Sequence, residues 1–265
     1  MYDYHTHTNF SEDGNAPMEI MVESAIKLGL KEMAITDHYD PDYPDPNFFF
    51  DLDFDSYHNE METNAVKYRN KIKIVRAIEI GIQHGSTLDK CKNASNSYDY
   101  DFIMGSFHCA EGLDLYNGDF FESRTTEDAY IAFYKYVYNC LNEFNDFDVL
   151  GHINVIDRYG EYIPDSSIYV DIITDILSLL ISKGKGIEIN TSSFRYGMGD
   201  HTIPTDEILK IYYKLGGEII TVGSDAHYPQ DLGYKLSWAF EKAKSIGFKY
   251  IASYDQRKPS FIKIP

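Results

Sequence analysis

The sequence predicts an α/β fold in which parallel strands close into a barrel. A short apolar run followed by a longer helical pattern recurs seven times along the 265 residues. This alternation is typical of a parallel sheet covered by helices. No G-x-G-x-x-G follows a predicted strand, which weakens the alternative of an open doubly wound sheet. No linker or internal repeat divides the chain, and we therefore expect a single domain over residues 1–265.

The strands and helices alternate in a regular order. The strands are predicted at residues 2–6, 32–36, 73–80, 101–106, 148–152, 186–190 and 218–223. The helices are predicted near residues 17–28, 54–70, 86–94, 125–144, 167–183, 205–215 and 231–246. The first helix (ESAIKLGL) and the sixth (EILKIYYKLGG) end in glycine, as helix C-termini often do. The fifth begins with the capping residues of PDSSIYVDIITDILSLLISKG.

Three segments fall outside this alternation. Residues 39–53 are rich in proline, aspartate and aromatic residues, which indicates a loop over a cleft. Residues 109–124 are interpreted as a second long loop. The final stretch, YIASYDQRKPSFIKIP, predicts a terminal hairpin or an edge segment.

Composition limits the classes of partner. The net charge of -18 repels phosphate backbones, so we expect no nucleic-acid partner. The sequence has no run of about 18 apolar residues and no signal-peptide pattern, so no membrane span and no secretion are expected. The three cysteines form no C-x-x-C pair and favour a cytoplasmic protein with reduced thiols.

The first predicted strand ends in the pattern H-x-H. Residues i and i+2 of a strand point to the same face, so His5 and His7 project together. Two imidazoles placed in this way can bind one metal ion. The pattern alone also fits two ordinary polar histidines at a strand end.

The other strand ends strengthen the metal interpretation. Six of the nine histidines lie at or just after the carboxyl end of a predicted strand, where barrel active sites are built. Two carboxylates accompany them, Glu79 within the apolar run VRAIEI and Asp225 after IITVG. An ionised carboxylate in an apolar strand is unfavourable unless it is paired or binds a metal. An ion pair of Glu79 with Arg76 is disfavoured because the two residues face opposite sides of the strand. Asp13, in SEDG, is either a further ligand or the cap of a turn.

The number of candidate ligands exceeds the need of one ion, since zinc takes about four. Two or three divalent ions are therefore expected, and mixed histidine and carboxylate ligands suit Zn, Fe or Mn. Such a cluster is suited to phosphoester or amide hydrolysis. The candidate metal ligands are His5, His7, Asp13, His38, Glu79, His108, His152, Asp225 and His227.

The stretches YHTHTNFSEDG, ITDH, IEIG, GSFH, GHIN and GSDAH resemble the polymerase and histidinol phosphatase (PHP) family. The resemblance runs from residue 4 to residue 227 and implies a distorted, TIM-like (β/α)7 barrel with a trinuclear metal centre. It implies that one ion is held by His5, His7, Glu79 and Asp225. It further implies that a second ion is held by Glu79, His108 and His152, and a third by Asp13, His38 and His227. Many family members carry histidine where Asp13 stands.

Within the family, EINTSSFRYG and HINVIDRYG are similar to the phosphatases that act on L-histidinol phosphate in histidine biosynthesis. The resemblance implies attack of a metal-bound hydroxide on phosphorus, with Glu79, Asp225 and His227 as catalytic residues. Arg158 and Arg195 are candidates for binding the phosphate, because a guanidinium fork matches its oxygens. His201 is a third substrate-binding candidate and could protonate the leaving group, for which a metal-bound water is the alternative. Asp40 or Asp42, in the acidic loop, is a candidate for binding the substrate amine.

Four alternatives remain open from the sequence. The same site would serve another small-molecule phosphoesterase or a 3′–5′ exonuclease, although the acidic charge opposes the exonuclease. A metal-binding domain without catalysis is the third, and an amidohydrolase-type deaminase, which shares H-x-H, is the fourth. The oligomeric state does not follow from the sequence.

Overall fold

Seven parallel strands of the described chain surround the core of the protein, and they are given below in the order in which they pair. The computed structural model describes residues 1–199 and 201–264. The seven strands are β1 (Tyr2–Asp3), β2 (Glu32–Ile35), β4 (Lys73–Gly81), β5 (Phe102–Ser106), β8 (Val149–Leu150), β9 (Gly186–Asn190) and β10 (Ile220–Gly223). A short strand, β3 (His38–Tyr39), also pairs with β4. Every residue of β5, β9 and β10 is buried, as expected for parallel strands with helices outside them.

The sheet closes on itself through the segment that follows β1. The backbone N–H of Tyr4 donates to the carbonyl oxygen of Val222 at 2.9 Å, and Thr6 forms a parallel bridge with Ala226. The alternation of strand and helix around this closed sheet is that of a (β/α)7 barrel, so the predicted fold class is confirmed.

Over residues 1–199 and 201–264, seven α-helices cover the strands, as the apolar spacing predicts. They are α1 (Met18–Lys27), α2 (Phe54–Tyr68), α3 (Thr87–Ser95), α4 (Thr126–Glu143), α5 (Val170–Ser182), α6 (Asp206–Lys214) and α7 (Leu236–Ile246). The side chains of Asp53, Thr125 and Thr205 cap α2, α4 and α6 by accepting a backbone N–H of the first turn. No helix in the described ranges is long and apolar enough to cross a membrane.

The structure corrects two details of the prediction. The strands predicted at 2–6 and 148–152 are shorter in the structure, with regular strand geometry only at Tyr2–Asp3 and Val149–Leu150. The loop predicted at 109–124 contains a hairpin, β6 (Cys109–Ala110) with β7 (Leu113–Asp114), and a 3-10 turn at Asp119–Phe121.

The predicted terminal hairpin is confirmed as β11 (Tyr250–Asp255) paired with β12 (Lys258–Lys263). It packs beneath the amino ends of the barrel strands. The backbone N–H of Tyr254 donates to the Tyr4 hydroxyl, and Arg257 pairs with Asp148 just before β8. This end of the barrel is therefore closed, and the opposite end, where the histidines lie, is the open one.

Candidate metal centre

Six histidines converge at the carboxyl end of the barrel because each lies in or just after one of five strands. His5 and His7 follow β1, and their ring centroids are 5.0 Å apart. The ring of His7 stacks on those of His38 and His227, with centroids 4.3 and 4.0 Å away. His108 and His152 complete the group at 5.3 Å from each other. The rule that barrel sites form at strand ends therefore places all six correctly.

Glu79 lies at the centre of these histidines and is fully buried. Its Oε2 is 3.0 Å from His38 Nδ1 and 3.2 Å from His5 Nε2. Its Oε1 is 3.1 Å from His152 Nε2 and 3.4 Å from His108 Nε2. Arg76, in contrast, pairs with Glu62 and Asp101, as expected for a residue on the other face of β4.

Asp225 faces the same cluster from the end of β10. Its Oδ1 is 3.4 Å from His7 Nε2 and 3.6 Å from His5 Nε2. The residue has a φ of 56°, a left-handed conformation that a non-glycine residue rarely adopts. The backbone N–H of Asp225 donates to the carbonyl oxygen of His5 at 2.8 Å. This strained backbone, held by a neighbouring strand, is typical of functional sites.

Asp13 lies at the outer rim of the cluster. Its Oδ2 is 3.2 Å from His227 Nε2 and 3.9 Å from His38 Nε2, and its side chain is 44% exposed. The structure thus places Asp13 near His38 and His227, the two histidines with which the family resemblance groups it.

The cluster fits divalent transition-metal ions. Several buried ring nitrogens, including His7 Nε2, His38 Nδ1 and His227 Nε2, lie near carboxylate oxygens but form no hydrogen bond in the described ranges. Potential ligand atoms form four groups, and within each group the atoms lie within 4.8 Å of one another. The members of these groups are histidine, glutamate or aspartate residues. The groups are His5–His7–Asp225, His5–Glu79–His152, His38–Glu79–His108 and His7–His38–His227.

Buried carboxylates that the sequence analysis did not select as metal ligands support the cluster. Asp37 accepts from the backbone N–H of Thr8 at 2.6 Å and from the Ser11 hydroxyl at 2.7 Å, and Ser11 Oγ is 3.1 Å from His7 Nδ1. Asp40 Oδ1 is 2.7 Å from His108 Nδ1, and Glu188 Oε1 is 2.8 Å from His5 Nδ1. The signal for Glu188 was present, because it interrupts the apolar strand GIEIN as Glu79 interrupts its own strand.

A cavity of about 460 Å³ opens over the cluster. Its wall includes Tyr43, Phe48, Phe50 and Tyr116, which come from the two segments predicted as cleft loops. The Tyr43 hydroxyl donates to Asp114 Oδ1 at 2.8 Å and so connects the two loops. The prediction that these loops cover a cleft agrees with this arrangement.

The two carboxylates predicted to bind the substrate amine are engaged elsewhere. Asp42 pairs with Lys90 and accepts from the Thr87 hydroxyl on the outer side of the loop. Asp40 lines the cavity but lies against His108. The loop turns the Asp42 side chain toward α3, and its role in binding the substrate amine stays a prediction.

The two predicted phosphate-binding arginines border the cavity. Arg158 Nη2 is 3.3 Å from Asp225 Oδ2, and its guanidinium lies over the Tyr196 ring. Arg195 Nη2 donates to the carbonyl oxygens of Ser224 and Asp225 at 2.9 and 2.7 Å.

The third predicted substrate-binding residue, His201, is placed differently. It is not among the residues that line the cavity in the described ranges, and its Nε2 lies 2.8 Å from Asp157 Oδ2. The sequence offered no sign of this partner, which is 44 residues away in the chain.

Burial and charge act in opposite directions on the ionisable groups of the cluster. Burial raises the pKa of Glu79, but His5 and His38 outweigh it and hold this pKa well below its usual range. Burial lowers the pKa of His38, but Glu79 and Asp13 outweigh it and raise this pKa to about 9. The metal-free cluster therefore balances carboxylates with protonated histidines.

Metal-free protein is expected to lose thermal stability as the pH rises from about 6.5 to about 9. The folded-state pKa of His38, about 9, exceeds the ordinary value of 6.5. A histidine with a raised pKa stabilises the folded state fully below the unfolded pKa, and the contribution disappears as the pH passes the folded pKa. His5 and His108 have raised pKa values and act in the same direction. The measurement is Tm of chelator-treated protein across this range.

The control for this pH series is the same protein saturated with zinc. Metal ligation requires neutral imidazoles, so the bound ion removes the dependence on their protonation. A metal-free Tm that stays constant or rises from about pH 6.5 to about pH 9 would contradict the expected charge balance.

Comparisons with known proteins agree with this geometry. A family model described as PHP domain matches residues 3–192. The chain is 31% identical to a probable histidinol-phosphatase of Clostridium acetobutylicum, over 94% of this chain and 95% of the relative. It is 28% identical to the histidinol-phosphatase of Lactococcus lactis, over 97% of this chain and 95% of the relative.

A solved structure gives the same result at the level of the fold. The crystal structure of histidinol phosphate phosphatase from Lactococcus lactis, complexed with zinc, L-histidinol and phosphate, matches with a TM-score of 0.89. The two chains are 28% identical, and the match covers 98% of each. The family match over most of the chain and the full-length relatives lead to one conclusion: the chain belongs to the PHP domain family.

Proposed function

We propose that this chain hydrolyses L-histidinol phosphate to L-histidinol and phosphate, as one PHP-type metallophosphatase domain over residues 1–265. The proposal rests on one observation: the cluster of histidines and carboxylates and two arginines border the same cavity. The choice of substrate is supported by the full-length similarity to proteins named histidinol-phosphatase.

The proposed metal centre contains two or three divalent ions of Zn, Fe or Mn. His5, His7, Glu79 and Asp225 would hold one ion, and Glu79, His108 and His152 a second. Asp13, His38 and His227 would hold the third. Such ions supply charge neutralisation for the phosphoryl oxygens and lower the pKa of water. Zinc is present in the related structure from Lactococcus lactis.

The protein's own groups would bind and orient the substrate. Arg195 Nη1 is buried and has no hydrogen-bond partner in the described ranges, and the Arg158 Nε is in the same situation. Guanidinium groups with free N–H donors bind phosphate through directed, charge-assisted hydrogen bonds. With the phosphate at the arginines, the aromatic wall formed by Tyr43, Phe48, Phe50 and Tyr116 would face the imidazole end of the substrate.

The proposed partner is a small molecule and not a nucleic acid. A net charge of -18 repels a polyanion, whereas a cavity of about 460 Å³ has the size of a small-ligand site. The proposed location is the cytoplasm, which the three free cysteines support.

Metal removal tests the proposed function. Phosphate release from L-histidinol phosphate is expected to stop after treatment with a chelator and to return on addition of zinc or manganese. The control is the far-UV circular dichroism of the chelated protein, which is expected to show a folded barrel. Full activity in protein shown by elemental analysis to contain no metal would contradict the proposal.

A further inference from the structure

A second glutamate lies within the apolar core of the barrel, beneath the proposed metal centre. Glu188 occupies the middle of β9 and is fully buried. No lysine or arginine of the described ranges forms an ion pair with it, and its charged partner is His5. A buried carboxylate without a cation is unfavourable unless its hydrogen bonds serve a defined purpose.

The hydrogen bonds of Glu188 all reach the cluster or its support. Its Oε1 lies 2.8 Å from His5 Nδ1. Its Oε2 accepts from the backbone N–H of His152 at 2.9 Å and from Asn190 Nδ2 at 3.2 Å. One carboxylate therefore contacts two of the proposed ligands, His5 and His152, which are far apart in the sequence.

The contact of Glu188 with His5 determines which nitrogen of the His5 ring is available to bind a metal ion. A carboxylate only accepts hydrogen bonds, so His5 Nδ1 donates, and in the neutral ring that a metal ion requires, His5 Nε2 keeps its lone pair. His5 Nε2 is the atom that faces Glu79 Oε2 at 3.2 Å and Asp225 Oδ1 at 3.6 Å. The ring is thus presented to the proposed ion in the protonation form that a metal requires.

The neighbouring strand leaves room for this contact. A side chain on Gly223 would place its Cβ 2.2 Å from Glu188 Oε1 and 2.4 Å from the Cβ of His5. Only glycine fits there without moving one of the two groups. The sequence of β10 therefore accommodates the pair of Glu188 and His5.

We infer that Glu188 is a positioning residue of the metal centre: it fixes the ring orientation and tautomer of His5 and the backbone of His152. The inference rests on the proposed function insofar as it assumes a metal at these ligands. Carboxylates behind metal-bound histidines raise the basicity of the ligand and fix its geometry.

Zinc affinity of the Glu188→Gln variant tests the inference. Glutamine keeps the shape but loses the charge, and its amide cannot accept from His5 and from His152 as the carboxylate does. The dissociation constant for zinc, measured by competition with a chromophoric chelator, is expected to rise about 10- to 100-fold. The absorption bands of the cobalt-substituted protein are expected to change as well, because the geometry of His5 changes.

Asp148→Asn is the matched control. Asp148 is a buried carboxylate just before β8, and it accepts from the backbone of Ile103 and pairs with Arg257 at the closed end of the barrel. This substitution is expected to lower Tm without changing zinc affinity. If Glu188→Gln fails to fold, Glu188→Asp keeps the charge but withdraws it from His5, and the same weakening is expected.

Two results overturn the inference and can be told apart. A folded Glu188 variant with the zinc affinity and cobalt spectrum of wild type removes the role of Glu188 alone. Wild-type protein that binds no zinc removes the metal centre of the proposed function, and the role of Glu188 with it.

Discussion

Replacement of Glu79 by glutamine is expected to lower kcat/KM for L-histidinol phosphate by about a thousandfold, which corresponds to about 4 kcal/mol. Glu79 is the carboxylate that contacts the largest number of histidines, with four of their nitrogens at 3.0 to 3.4 Å. Glutamine retains one side-chain oxygen but lacks the negative charge with which Glu79 would bind two of the proposed ions. Steady-state kinetics and elemental analysis of the purified variant are the measurements.

The matched control is Glu32→Gln, at the amino end of β2. Glu32 is a largely buried carboxylate that accepts from the hydroxyls of Tyr4 and Ser253, far from the cluster. Its replacement is expected to reduce stability but to leave kcat/KM within the range of wild type. A Glu79→Gln enzyme with near wild-type activity and metal content would show that the ions do not depend on this carboxylate.

Replacement of Arg195 by lysine is expected to lower kcat/KM by about a hundredfold while metal content stays unchanged. The Nη2 of Arg195 is committed to two carbonyl oxygens, which leaves Nη1 for the phosphate. Lysine keeps a positive charge but cannot bind the carbonyls and a phosphate oxygen with one rigid fork. The kinetics of phosphate release and the metal content of the same preparation are measured together.

The control for Arg195 is Arg257→Lys at the closed end of the barrel. Arg257 pairs with Asp148, so its replacement tests the general effect of an arginine-to-lysine change on folding. We expect its kcat/KM to remain that of wild type. If Arg195→Lys behaved in the same way, the phosphate would have to be held by other groups.

The fold was predictable because apolar spacing is a local signal. Each of the seven predicted helices and seven predicted strands has a counterpart in the described ranges. The errors lie at the ends of elements, such as the helix predicted from residue 231 that begins at Leu236, and in the unpredicted strand β3 and hairpin β6–β7. The six clustered histidines were predictable for a related reason. A parallel barrel places the carboxyl ends of its strands at one face, whatever the connecting loops do.

The supporting groups were not predictable in the same way, because their roles depend on contacts between distant segments. Glu188 and His5 are 183 residues apart, and Asp40 and His108 are 68 apart. No local pattern links such pairs. The partners of Asp42 and His201 were not predictable for the same reason, since Asp42 pairs with Lys90 and His201 lies against Asp157. Their roles toward the substrate stay predictions.

The grouping of ligands around individual ions also exceeds what the sequence defines. His7 lies with His5 and Asp225 and also with His38 and His227, so one ring belongs to two candidate groups. Which ion a shared residue such as His7 would hold depends on where its side chain lies in the structure, and the residue type alone does not decide it.

The substrate selectivity of the metal-loaded enzyme tests the central claim most directly. Phosphate release is measured from L-histidinol phosphate beside p-nitrophenyl phosphate, sugar phosphates, AMP and single-stranded DNA. We expect kcat/KM for L-histidinol phosphate to exceed the others by about a thousandfold or more, which is about 4 kcal/mol of transition-state discrimination. Equal rates across the panel, or faster cleavage of DNA, would contradict the proposed substrate.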